Sequence, residues 1–182
     1  MRNVVAGLFI TVDNVTQSPD KWQEHFDEDM AAELQSHIDQ TDAILLGRVT
    51  YEEWFPYWPT ASDEPFASHI NNTPKYVVST TLNSVEWGGK ENISLIKGDV
   101  YGAIQKLKQQ SGKNIAVEGS PSLVRSLLEQ DLLDQLTLLI HPVIAGRGQR
   151  LFKDSSALKR LTLVNTKPTR TGTVILTYQL HK

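Results

Sequence analysis

The stretch Asn114-Ile115-Ala116-Val117-Glu118-Gly119-Ser120-Pro121-Ser122-Leu123 decides the fold. Its first four residues read as a short buried strand. Gly119 ends that strand, Ser120 is a good N-cap, and Pro121 suits the first position of a helix running to Glu129. A buried strand that turns directly into a helix belongs to a strand–helix–strand pattern, and that pattern builds parallel sheet.

The pattern recurs on both sides. Val4–Val12, Ala43–Leu46, Lys75–Val78, Ile93–Ile96 and Leu136–Ile140 are further apolar strand candidates. Between them the spacing predicts a helix over about Phe26–Asp39, with Phe26, Met30, Leu34 and Ile38 on one stripe. Helix-like residues lie around Phe66–Asn71, and Tyr101–Gln110 carries Ile104, Leu107 and Lys108 along one side. Leu161–Asn165 and Thr173–Leu180 form a closing hairpin. The expected fold is α/β, with a mostly parallel central sheet, helices on both faces and a C-terminal antiparallel hairpin. With 182 residues and no linker or repeat, residues 1–182 are expected to form a single domain.

Composition excludes several chemistries. No cysteine means no disulfide, thiolate nucleophile or Cys-ligated metal. A net charge of −3 argues against a dedicated nucleic-acid binder. No apolar run approaches the roughly 20 residues of a membrane span, and the N-terminus does not read as a signal peptide, so a cytoplasmic protein is expected. The charge is unevenly spread. Asp20–Glu33 holds six acids and one Lys, while Arg147–Arg170 holds seven basic residues and one Asp. Read alone, these tracts are solvated faces. The histidines at 25, 37, 69, 141 and 181 lack metal-ligand spacing and read as structural or exposed.

Three strand ends carry the functional signal, because ligands of open α/β sheets sit beyond the carboxyl ends of the strands. After Leu46, Gly47 permits close approach, Arg48 can grip a phosphate or pair on the surface, and Thr50 and Glu53 have capping-box spacing that predicts a helix start at Thr50. After Val78, Ser79 and Thr80 offer hydroxyls that cap the backbone or donate to an anion. The turn at Gly119-Ser120 is the third. Together they point to an anionic, nucleotide-like ligand. Neither a G-x-G-x-x-G nor a P-loop is present.

At these residues the sequence resembles the dihydrofolate reductase superfamily. Leu46-Gly47-Arg48-Val49-Thr50-Tyr51-Glu52 looks like its G-R-x-T-[WY]-E segment. The stretches Glu118–Leu123, Leu132–Leu136 and His141-Pro142-Val143-Ile144-Ala145-Gly146-Arg147-Gly148 resemble more closely the reductase domain at the C-terminus of the riboflavin-biosynthesis deaminase–reductase. The deaminase's Cys-containing zinc motif is not in this chain. The resemblance implies a dihydrofolate reductase-like three-layer sandwich, NADPH as cofactor and a homodimer. Carried over by position, Gly47, Arg48 and Thr50 lie along NADPH, with Arg48, Ser79 and Thr80 at its 2′-phosphate. Gly119, Ser120 and Leu123 hold its pyrophosphate. Where the family often shows S-[LV]-D-G, this chain has Thr11-Val12-Asp13-Asn14, so a left-handed glycine position falls to Asn14, a residue that tolerates it.

The resulting expectation is an NADPH-dependent reductase that passes a hydride to a small pterin- or pyrimidine-like heterocycle. Asp13, Asp29 or a water is expected to supply the proton, with Trp22 and Phe26 holding the ring. No metal is expected. The alternative is a nucleotide-binding or ligand-sensing module on the same fold that lacks turnover.

Overall fold

The computed structural model describes residues 1–153 and 158–180. Eight strands form one sheet: β1 (Val4–Thr11), β2 (Thr41–Gly47), β3 (Lys75–Val78), β4 (Ile93–Ile96), β5 (Asn114–Gly119), β6 (Gln135–His141), β7 (Leu161–Pro168) and β8 (Val174–Leu180). Their order across the sheet is β4-β3-β2-β5-β1-β6-β8-β7. The first six are parallel, and β8 runs antiparallel to both β6 and β7. The α/β fold and closing hairpin are as expected from sequence.

Five helices connect the strands: α1 (Glu28–Asp39), α2 (Arg48–Trp54), α3 (Phe66–Asn72), α4 (Val100–Gln109) and α5 (Pro121–Glu129). Alternation along the strands divides the core. Val4, Ala6, Leu8 and Ile10 of β1 pack with Ile104 and Leu107 of α4 and Leu123, Val124 and Leu127 of α5. On the opposite face Ile44, Leu46, Val77 and Ala116 pack with Tyr51 of α2 and Ile70 of α3. Met30 of α1 packs on Leu139 and Phe9 on that same face. Lys108, on the apolar stripe of α4, is fully buried. It is held by ion pairing to Asp134, whose Oδ2 also accepts from the Val4 amide at 2.7 Å.

Two helix starts differ from the sequence reading. α2 begins at Arg48 with Gly47 as its N-cap, so Thr50 is a buried residue inside the helix and makes no capping box. The chain leaves β2 without a loop, and the cap falls on the last strand residue. α1 begins at Glu28, because the Asp27 carboxylate accepts from the Met30 amide at 3.0 Å and so takes the cap position. Phe26 therefore lies outside the helix and is half-exposed. Asn14 does adopt the left-handed conformation, with φ of 70°. The aromatic loop after α2 packs on itself and α3, with Trp58 and Phe66 at 4.9 Å.

Candidate active site

Because β1 to β6 are parallel, their carboxyl ends share one edge, and the chain leaves β2 and β5 toward opposite faces. Such a divergence between neighbouring strands opens a crevice beyond their ends. Here it brings Gly47 and Gly119 together, with Leu46 opposite Gly119 in register. A Cβ on Gly47 would lie 2.8 Å from the Ser120 amide nitrogen, and one on Gly119 would lie 2.6 Å from Thr50 Oγ1. Gly119 has φ of 130°, which also favours glycine there.

The other cofactor candidates fall around this crevice with different freedoms. Ser120 N-caps α5 and is buried, its hydroxyl 2.8 Å from that of Ser122. Leu123 sends its side chain into the core, which leaves only its backbone to face the edge. Ser79 accepts from the amides of Thr81 and Leu82, both at 3.1 Å, and so caps its own turn, while Thr80 is exposed. Arg48 pairs with Glu52 at 2.6 Å on the surface. An exposed i,i+4 pair is worth only about 0.3–0.5 kcal/mol, so the guanidinium is readily released to an anion.

One strand further on, Thr11 of β1 stands opposite His141 of β6. Here Trp22 and Phe26 meet two residues that the sequence reading did not select. Trp22 lies edge-on to His141 with ring centres 5.4 Å apart, and Phe26 lies against Phe9 at 6.4 Å. Phe9 and His141 are themselves in edge contact at 5.6 Å. His141 is buried, and its Nδ1 is 3.3 Å from Thr173 Oγ1. Its Nε2 has no partner among the described residues. Leaving a buried polar atom unpaired costs about 1–3 kcal/mol. Burial lowers the imidazole pKa, with the Asp27 charge opposing, so the ring is neutral near pH 7.

Both carboxylates expected to carry a proton are engaged. Asp13 accepts from the Thr11 hydroxyl at 2.6 Å and from the Ala145 and Gly146 amides at 2.9 and 2.8 Å. The Thr11 bond and then the amides lower its pKa to about 2. Asp29 pairs with Lys167 at 2.9 Å, and that ammonium lowers its pKa. Its neighbours are equally occupied: Glu28 meets Arg170 at 2.7 Å, and Asp27 accepts from the Thr171 hydroxyl at 2.8 Å and its amide at 3.1 Å. Asp27, Glu28 and Asp29 at the start of α1 thus tie to Lys167, Arg170 and Thr171 and hold the turn between β7 and β8, while Glu28 and Arg170 themselves stay exposed.

Behind the crevice, a register shift leaves Glu118 without a partner on β2. Glu118 reaches His37 of α1 at 2.7 Å, an ion pair that the sequence did not reveal.

The sequence matches the RibD C-terminal domain over residues 2–175. This chain belongs to that family. It is 28% identical to the uncharacterized protein YyaP of Bacillus subtilis, across 97% of this chain and 94% of the relative. Among solved structures it is similar to a putative riboflavin biosynthesis protein from Shewanella sp. PV-4. That match has a TM-score of 0.81 at 17% identity, and covers 99% of both chains. A pyrimidine reductase-like protein from Corynebacterium diphtheriae aligns with a TM-score of 0.67 at 18% identity, covering 100% of this chain and 92% of that one. The fold is therefore that of the RibD-like reductase domains, and no helix among the described residues is long and apolar enough to cross a membrane.

The His37–Glu118 pair gives this domain a pH signature. Burial pushes the His37 pKa down, but the charge and hydrogen bond of Glu118 outweigh it and raise the value above 6.5. Burial pushes Glu118 up, and His37 outweighs it and brings the value below 4.5. The His37 contribution to stability is complete below pH 6.5 and is lost as pH rises through its raised pKa. The Glu118 contribution is complete above pH 4.5 and is lost as pH falls through its lowered pKa. Urea denaturation should therefore show His37→Gln least stable relative to the parent between about pH 4.5 and 6.5, by on the order of 2 kcal/mol. The gap should narrow on both sides, and a gap independent of pH would refute the assignment.

Proposed function

We propose that the chain is an NADPH-dependent reductase that reduces a small pterin- or pyrimidine-like ring. The observation that carries the reading is the adjacency of two features at one sheet edge of a RibD-family domain. The glycine–hydroxyl turns lie after β2 and β5, and the aromatic–imidazole cluster lies at the ends of β1 and β6, with β1 directly beside β5.

The cofactor reading is supported by the close packing of the two turns: without side chains, Gly47 and Gly119 seat against Ser120 and Thr50, which sets the N-termini of α2 and α5 side by side at the sheet edge. Gly119, Ser120 and the backbone of Leu123 would hold the pyrophosphate at the N-terminus of α5. Gly47 and Thr50 would line the cofactor, and Arg48, Ser79 and Thr80 would take the 2′-phosphate. When bound, NADPH supplies the hydride that adds to a ring C=N or C=O. Trp22 and Phe26 hold the flat ring, and Phe9 forms its floor.

Of the three proton sources read from the sequence, Asp13, Asp29 and water, the geometry favours water. Asp13 and Asp29 are ionised acceptors already bound by amides, a hydroxyl and an ammonium, so neither holds a proton to give near neutral pH. In this proposal they fix the loops around the site, and water delivers the proton. The compartment is taken as cytoplasmic. A second copy of the chain pairs along β7, an edge strand whose Leu163 and Val164 are half-exposed. Light scattering at micromolar concentration should give twice the chain mass, and a monomer would refute the pairing.

Calorimetric titration tests the cofactor. The parent should bind NADPH more tightly than NADH, and Arg48→Ala should lose about tenfold in NADPH affinity with NADH unchanged. Absence of NADPH binding at millimolar concentration would remove the reductase reading. Binding without oxidation across carbonyls, imines and quinones would favour the sensing module.

A further inference from the structure

Among the described residues, His141 Nε2 is the buried side-chain nitrogen or oxygen that has no hydrogen-bond partner. Folded chains pair such atoms, and exceptions call for an explanation such as a catalytic role or a missing ligand. This exception sits at the carboxyl end of β6, with Phe9 and Trp22 edge-on against its ring. Exposed apolar residues follow both strands at this end: Val12, after β1, is 63% exposed, and Ile144, three residues beyond His141, is 76% exposed. Apolar walls around one directional polar group are the composition of a small-molecule site.

We propose that His141 Nε2 is the contact that orients the substrate ring, hydrogen-bonding a ring carbonyl or ring N–H at the position the Trp22 indole now covers. The proposal rests on the reductase reading and assigns one positioning residue within it. A neutral ring has one donor and one acceptor nitrogen, and the Thr173 hydroxyl satisfies Nδ1 in either state. An edge that places C=O beside N–H complements Nε2 in both.

The neighbouring acids do not compete for this role, because Asp27, Glu28 and Asp29 are bound to the hairpin. Trp22 is the group that can shift aside to admit the ring and then pack against it. It stands on the segment between β1 and α1, and its indole is held by one exposed hydrogen bond, to the Gln17 carbonyl at 2.9 Å. Moving the ring breaks no strand pairing.

The test uses the full chain, 15N-labelled at histidine, with lumazine (pteridine-2,4-dione) as probe. Trp fluorescence reads affinity and long-range 1H–15N spectra read the imidazole nitrogens. Lumazine should move the His141 Nε2 resonance. His141→Phe, which keeps an aromatic ring in the cage, should bind at least tenfold more weakly while melting no lower than the parent. His141→Gln, which restores a polar atom, should recover part of the affinity. A purely structural His141 gives the reverse: a lower melting temperature for His141→Phe and unchanged affinity. The proposal is overturned by that result, by binding without an Nε2 shift, or by no lumazine binding to the parent at millimolar concentration. NADPH titration of the same proteins is read separately. Its failure in the parent removes the reductase reading, while lumazine still decides His141.

Discussion

Six neighbouring strands run parallel, and a parallel sheet must deliver every one of their carboxyl ends to the same edge. Everything chemical in this molecule follows from that constraint. The crossover helices take up the return paths on both faces. β2 and β5 pass into their helices with almost no turn, whereas β1 is followed by a long segment before α1. β1 occupies the centre, buried on both faces and hydrogen-bonded to β5 and β6. It sets the turns after β2 and β5 beside the aromatic cluster at the ends of β1 and β6. The proposed cofactor and substrate positions are neighbours through strand order, although their residues are far apart in sequence.

The edge is then fixed by polar ties that local sequence pattern does not display. Asp13 gathers the Ala145–Gly146 turn onto the end of β1, and Asn14 bonds the Phe152 carbonyl at 3.0 Å. The first turn of α1 grips the tip of the β7–β8 hairpin through Asp27, Glu28 and Asp29. An acidic helix start also has its own local justification in the helix dipole. That is why the same residues read in the sequence as a solvated face, or in Asp29 as a proton source, whereas the structure ties them to the β7–β8 hairpin. Only the pairing of the sheet, which swings β8 beside β6, selects that tie.

Much of the architecture was legible because it is local. The strand, glycine, N-cap and proline of 114–121 name their own conformations, and Pro121–Glu129 is the helix so read. Lys108 on an apolar stripe was legible as buried, although its partner Asp134 was not. The helix start assigned to Thr50 failed because Gly47 serves both as strand end and as cap. The surroundings of His141 were not legible in the sequence because they depend on register. The residue faces Thr11 from 130 positions away, and no spacing along the chain records that. His181 and Asp154, counted in the sequence reading, lie outside the described residues.

The central claim is that cofactor and ring occupy adjacent positions at this one edge, and a crystal structure of the chain with NADP+ and lumazine tests it most directly. The account requires the nucleotide to run across the Gly47–Thr50 and Gly119–Ser120 turns. It also requires the pteridine to lie on Phe9, held by Trp22 and Phe26, with a polar ring atom at His141. A nucleotide bound elsewhere on the sheet, or a ring seated away from β1 and β6, would contradict it.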